Sequence, residues 1–438
     1  MTRYVSLLGL GFGDCGKGLF TDFLCRRHGA HTVVRFNGGA QAGHNVVLPD
    51  GRHHTFSQFG AGTFQPGVAT VLASPVVVHP TALAVEAEAL RQVGVHDALD
   101  RLQIDARCRV TTPFHQAAGR LREWRQGHGS CGVGVGETVR QSLAAPELTL
   151  HYGDLGHADS ALDKLEALRR RLLAEFDGRP MATEAATREL ALLAEPRVAP
   201  RWLDAARAVV QRAPPAGRDA IARRLARPGT VVFEGAQGVL LDEWRGFHPH
   251  TTWSSVSSAA VEAVLAELGL DGTVRHLGVM RSYLTRHGAG PLPTADPALD
   301  GLAEPHNPQD GWQGRFRRGH PDAVLWRYAL DAVGALDGLL VSHLDVFDRA
   351  PPLRWCRGYE LADTAVLARL SLGAPRDLAH QQKLTRTLGE ALPVYDQDAI
   401  ETADALVARI EALSGLRVCC TSTGPVHEAV RVHAADWA

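Results

Sequence analysis

The segment Gly11-Phe-Gly-Asp-Cys-Gly-Lys-Gly18 follows the apolar run Tyr4–Leu8 and precedes an apolar-periodic stretch with Leu19, Phe20, Phe23 and Leu24. That order reads as strand, phosphate-binding loop and helix. Glycines let the backbone turn tightly, so several N–H groups can face one anion. The helix N-terminus adds its dipole and Lys17 a full charge. The spacing Gly11-x-x-x-x-Gly16-Lys17 follows the P-loop pattern up to its last position, where Gly18 stands in place of a magnesium-binding Ser or Thr. A nucleotide-phosphate site here needs another metal ligand, and Asp14 inside the loop is the candidate. An ordinary tight turn is the alternative reading of this stretch taken alone.

Beyond the loop, short β-rich runs alternate with helical patterns. Strands are expected at Tyr4–Leu8, Thr32–Arg35, Thr70–Leu72 and Val76–Val78, and helices at Gly18–Arg27 and Pro80–Val93. Such alternation predicts an α/β fold with a large, mostly parallel sheet and helices on both faces. Strand-like runs return at Thr230–Glu234, Val274–Met280 and Gly338–Leu344, each leading into a polar or glycine-rich turn. The span 155–228 is rich in Ala, Leu, Arg and Glu at helical spacing and reads as a helical insertion, broken at Pro214 and Pro215. Residues 361–392 carry little signal. A helix (Ile400–Leu413), a strand (Arg417–Cys420) and the loop Thr421–Pro425 follow. The 438 residues are expected to form one domain, with 155–228 inserted within it.

Composition narrows the function classes. A net charge of −2 argues against a nucleic-acid-binding face. The apolar runs, such as Val68–Val78, are too short and too broken by proline to span a bilayer. The seven cysteines contain no C-x-x-C pair and no leader precedes the first strand, so a reducing cytoplasmic setting is expected.

Further polar stretches sit where strands end, the usual place for ligands in open α/β sheets. Arg35–His44 places glycines, Gln41 and His44 after a strand; a surface turn is the plainer reading. Glu234-Gly-Ala-Gln237-Gly offers a carboxylate and an amide that can both donate and accept, or simply a helix cap. Gly314-Arg-Phe-Arg-Arg318 is a cationic turn suited to carboxylate or phosphate, since arginine presents a planar fork. Ser342-His343-Leu-Asp345 keeps the aspartate of an N/T-K-x-D guanine-recognition motif and has a histidine in place of its lysine.

Taken in order, these stretches resemble adenylosuccinate synthetase. That family carries W-G-D-E-G-K-G, G-G-H-N-A-G-H-T, F-E-G-A-Q-G-T-L-L-D, T-R-V-G-A-G-P-F-P-T, T-T-G-R-x-R-R, T-K-L-D and S-T-G-P. This chain shows Phe12–Gly18, Gly38–Asn45, Phe233–Asp242, Thr285–Thr294, Gly314–Arg318, Ser342–Asp345 and Ser422–Pro425 in the same order. The resemblance implies GTP-dependent joining of L-aspartate to C6 of inosine monophosphate through a 6-phosphoryl intermediate, with Mg2+. It implies a base and metal ligand at Asp14, a phosphate-holding Lys17 and an acid at His44. Gly43 would lend its carbonyl to the metal. Gly13, Gly16, Gly18, Gln41, Gln237, Thr252, Arg317, His343, Asp345, Ser422 and Gly424 would contact the nucleotides, and Arg315 with Gln313 the amino acid. It also implies a homodimer, with an arginine, for which Arg140 is the nearest candidate, crossing into the partner's site.

The departures gather on the amino-acid side. Gly129-Ser-Cys-Gly-Val-Gly-Val-Gly136 stands where the family has G-T-T-G-R-G-I-G, so Cys131 replaces a threonine and Val133 an arginine. Trp312 and Gln313 replace two threonines, Cys15 a glutamate and Gln41 an asparagine. Losing one charge-assisted hydrogen bond to a carboxylate costs roughly 1.5–3 kcal/mol, about ten- to a hundredfold in affinity. The same phosphoryl chemistry with a different amine or purine-like acceptor is therefore the alternative expectation.

Overall fold

The computed structural model describes residues 1–126, 129–176, 178, 181, 183–302, 304, 307, 312, 314–349, 351–361 and 364–434. Ten strands form the central sheet: β1 (Thr2–Gly9), β2 (Ala30–Arg35), β3 (Ala69–Leu72), β4 (Leu102–Asp105), β5 (Pro215–Ala216), β6 (Gly229–Glu234), β7 (Val274–Arg281), β8 (Gly338–Ser342), β9 (Val418–Ser422) and β10 (Val430–Val432). Their order is β10-β9-β8-β7-β1-β6-β2-β3-β4-β5. Only the β9–β10 pair is antiparallel. Strands in such a sheet are buried on both faces and read as near-continuous apolar runs. The last six residues of β1 are all buried. Their alternation divides the core. Tyr4 and Leu8 join Phe233, Met280 and Trp326 on one face. Val5 and Leu7 join Phe20, Leu24 and Val279 on the other.

Helix α1 (Lys17–His28) starts and ends on left-handed glycines, Gly16 at φ 88° and Gly29 at φ 56°. Gly18 explains the missing P-loop hydroxyl. A Cβ there would lie 2.6 Å from the Asn45 carbonyl oxygen and 2.9 Å from the His44 carbonyl carbon. The helix thus lies directly on the short strand His44–Val47, which pairs with His53–Phe56. This close approach brings His44 toward the loop that precedes α1.

The expected strands and helices are found with ends shifted by no more than three residues. The strand expected to run to Leu344 stops at Ser342, because His343 takes a left-handed conformation at φ 60° and opens a 3-10 turn. The weak region holds a helix (Leu378–Glu390) and a small antiparallel sheet of Cys356–Leu361, Thr364–Leu367 and Leu392–Tyr395. Four helices fill most of 155–228: Ala158–Phe176, Glu184–Ala194, Val198–Arg212 and Arg218–Leu225. Leu168, Leu172 and Trp202 of these share a core with Leu72 and Ile104 of the sheet. The Pro214–Pro215 break is also more than a break, because Pro215–Ala216 returns to the sheet as its edge strand β5. Proline is tolerated there because an edge strand need not donate on both sides. Parallel pairing places Glu234, Arg281, Ser342 and Ser422 at one end of the sheet, where the loops converge.

Candidate active site

Those loops enclose a cavity of about 970 Å³. Gly13, Asp14, Gly16, Lys17 and Gly18 line its floor, with Gln41, Gly43 and His44 beside them. Gln237 and Thr252 line one wall, and His343, Asp345, Ser422 and Gly424 another. Five chain segments thus bring these expected residues together.

Lys17 is buried, and its ammonium donates to the Gln237 carbonyl at 2.7 Å. Gln237 itself sits at φ 66°, a strained backbone for a residue other than glycine. His44 is buried and shares a 2.7 Å Nδ1–Oε1 contact with Glu234. The sequence offered Glu234 as a strand-end carboxylate or a helix cap; the structure buries it against His44, where it also accepts from the Ala61 N–H at 3.0 Å. Burial lowers the His44 pKa to about 4, against the opposing pull of Glu234. The ring is therefore neutral near pH 7, with Nδ1–H on Glu234 and Nε2 left for a ligand.

Asp14 accepts the Asn307 amide at 2.7 Å and lies 3.4 Å from an Arg281 guanidinium nitrogen, both on Oδ2. Burial alone would push this carboxyl up. Arg281, His343, His287 and the Asn307 hydrogen bond overcome that and hold it below the usual carboxylate range. Burial and Arg281 hold His343 well below the ordinary histidine value. Its ring lies 2.7 Å from the Ser342 hydroxyl. Asp345 pairs with Arg349 at 2.7 Å, which also lines the cavity.

The residues expected to meet the amino acid are arranged differently. Val133 packs with Val77, Val135 and Val139 in a small apolar cluster. Trp312 lines the cavity, stands edge-on to Trp124 at 5.4 Å and covers Gly132 so closely that a Cβ there would lie 2.8 Å from the indole nitrogen. Arg315 is exposed and paired with Asp300, and Arg317 donates to the carbonyls of Gly288 and Gly290 at 2.7 and 2.8 Å; neither lines the cavity. Gln313 lies outside the described residues. Arg140 is tied within its own chain to Glu137 at 2.8 Å and to Glu175 at 3.3 Å. Sequence reasoning missed Arg281 and Asn307, which hold Asp14, and Trp253, which lines the cavity, and it gave His287 no role within the Thr285–Thr294 motif. A basic residue closing strand β7 was a readable signal for Arg281; Asn307 gave none.

The sequence profile of adenylosuccinate synthetase matches residues 6–431. The chain belongs to the adenylosuccinate synthetase family. It is 30% identical over 447 residues to the adenylosuccinate synthetase of Neisseria meningitidis serogroup B, covering 98% of each chain. Against the Mycobacterium leprae adenylosuccinate synthetase the identity is 31% over 446 residues, with 96% of each covered. The fold is similar to fully ligated adenylosuccinate synthetase from Plasmodium falciparum, at TM-score 0.79 and 21% identity over 99% of this chain and 100% of that one. It is also similar to cyanophage S-2L succinoaminodeoxyadenylate synthetase bound to dGMP and dATP as an energy donor. That match has TM-score 0.60 and 18% identity, covering 99% of this chain and 96% of that one. Adenylosuccinate synthetases are GTP-dependent C–N ligases of purine biosynthesis, joining aspartate to C6 of inosinate, and this chain is a member with that chemistry. No helix among the described residues is long and apolar enough to cross a membrane.

Proposed function

We propose that Asp14, Lys17 and His44 carry out this ligation in the described cavity. The observation that supports it is their convergence there, with His44 backed by a buried glutamate. Asp14 takes the purine N1 proton as O6 attacks the γ-phosphorus of GTP, releasing GDP. Lys17 leaves the Gln237 carbonyl for the phosphates. His44 Nε2 faces the transferred phosphoryl group, whose negative charge raises the ring's proton affinity, and Glu234 then stabilises the imidazolium. The aspartate nitrogen next attacks C6 and expels phosphate.

Magnesium fits this donor set. Both contacts of Asp14 fall on Oδ2, so Oδ1 and the Gly43 carbonyl offer hard oxygen ligands. Such an ion takes few protein ligands and several phosphate or water oxygens. Among the described residues no group of three or more His, Cys, Asp and Glu could hold a metal. When bound, the ion would neutralise developing phosphate charge. Gln41 fits a ligand contact too, since its side-chain oxygen is buried without a partner. Thr252 would meet inosinate, and Asp345, Ser422 and Gly424 the guanosine. A cytoplasmic homodimer of single-domain chains completes this reading.

A second reading keeps the phosphoryl chemistry and changes the amine. The placement of Val133, Trp312 and Arg315 favours it. One assay separates the two: phosphate release from GTP with magnesium and inosinate, with and without aspartate, alongside the purine absorbance shift. Aspartate-dependent release that Asp14→Asn abolishes is expected. Turnover only with other amines would establish the second reading, and no turnover with any amine would overturn both.

A further inference from the structure

We propose that His287 is a positioning residue for the base, acting through the Asn307 side chain. The inference rests on the assignment of Asp14 as base. The family motif T-R-V-G-A-G has valine where this chain has His287, so the feature belongs to this chain.

Three side chains on separate segments form a line: His287 at the end of the strand Leu284–His287, Asn307 in the following loop, and Asp14 in the phosphate loop. His287 Nε2 lies 3.1 Å from Asn307 Oδ1, and Asn307 Nδ2 lies 2.7 Å from Asp14 Oδ2. All three line the cavity. The two contacts determine one another. An ionised carboxylate only accepts, so the amide must present its NH2 to Asp14. Its carbonyl oxygen then faces His287, and Nε2 must carry a proton to meet it. The imidazole is itself placed by Phe316, its partner across the two-stranded ribbon, with ring centroids 4.6 Å apart.

The consequence is directional. With its NH2 turned to Asp14, the amide holds Oδ2 and with it sets the orientation of the whole carboxylate toward the purine. An amide without His287 can rotate about its terminal bond and offer its oxygen to the carboxylate, repelling it. Misplacing a reacting group by about 1 Å can cost on the order of a hundredfold in rate. His287 therefore affects turnover and leaves the phosphate and ribose contacts alone.

The test compares Asp14→Asn, His287→Val, His287→Gln, Asn307→Ala and the His287→Val/Asn307→Ala double variant, with magnesium, GTP, inosinate and aspartate. His287→Val is expected to lower kcat roughly ten- to a hundredfold with KM for GTP and inosinate within about twofold. His287→Gln, which can still donate to Asn307, recovers most of that loss. The double variant is no worse than Asn307→Ala, because both act on one contact. Unchanged kcat in His287→Val, no recovery by glutamine, or multiplying losses in the double variant would each overturn the proposal. Asp14→Asn separates the two layers. If it retains turnover, the base assignment fails; if it is inactive while His287→Val turns over normally, only the positioning role fails. Should the valine variant not fold, the Asn307→Ala and glutamine variants decide alone: Asn307→Ala must lose kcat and the glutamine variant must keep it.

Discussion

The proposed phosphate end and the proposed amino-acid end of the cavity are built on different terms. At the proposed phosphate end the polar groups are partnered and held: buried Lys17 on Gln237, buried His44 on Glu234, and half-buried Asp14 on Asn307. At the amino-acid end the arginines are engaged elsewhere or replaced, and exposed indoles border the space. Bond-making charges need fixed positions in a water-poor site, whereas recognition of an incoming amine tolerates a change of wall. On the proposed reading, the contrast separates an end that keeps the family's chemistry from an end that varies.

Breaking the phosphate end has the largest expected effect. Lys17→Ala removes the one lysine in the loop and should lower kcat/KM by about a thousandfold or more, read as phosphate release under saturating inosinate. His44→Asn should lower kcat by roughly a hundred- to ten-thousandfold. Glu234→Gln is milder, about tenfold or more in kcat, because the ring stays but loses the partner that stabilises its charge. Glu234 raises the proton affinity of His44, so its loss lowers that affinity further. The His44-dependent limb of the pH–rate profile should then move to lower pH in this variant.

The amino-acid end sharpens the contrast from the other side. Trp312→Thr restores the residue type of the family motif and should change KM for the amine about threefold or more, leaving KM for GTP and inosinate within twofold. A variant that moved all three constants equally would erase the distinction between the two ends.

One further expected effect lies outside the cavity, on stability and not on turnover. Asp322 caps the helix Ala323–Val333, accepts from Val324 and Leu325 and takes a 2.6 Å hydrogen bond from Tyr359. Burial pushes its carboxyl up to about 6. A folded-state value above the unfolded one favours the protonated form, so this contribution is full below about pH 4 and is lost as pH rises through 6. The loss is on the order of 3 kcal/mol. Asp322→Asn should flatten the stability change between pH 4 and 7, measured by denaturant unfolding.

Much of this was legible in the chain. β1, the phosphate loop and α1 follow from local chemistry, because glycine spacing and apolar runs act over a few residues. Glu234 was visible as a strand-end carboxylate, but its partner was not, since His44 lies 190 residues away, on the strand His44–Val47 that Gly18 lets α1 touch. Arg315 and Arg317 were visible as a cationic turn. Their pairing with Asp300 and with glycine carbonyls depends on how a loop folds back, which no periodicity encodes. Residues 361–392 gave little because their strands are short and half-exposed, with Leu392 among the exposed apolar residues.

The sheet order also governs when the enzyme can come into being. β1 is made first, yet its two neighbours are β6 and β7. More than two hundred residues must leave the ribosome before the strand that carries the phosphate loop meets either flank. At ordinary synthesis rates that is a wait on the order of ten seconds or longer, with an apolar strand and a glycine loop unpaired. Long-range parallel pairing is slow in its own right. A nascent chain truncated before residue 229 should bind no nucleotide, and the emerging N-terminal third is where a chaperone would find its target.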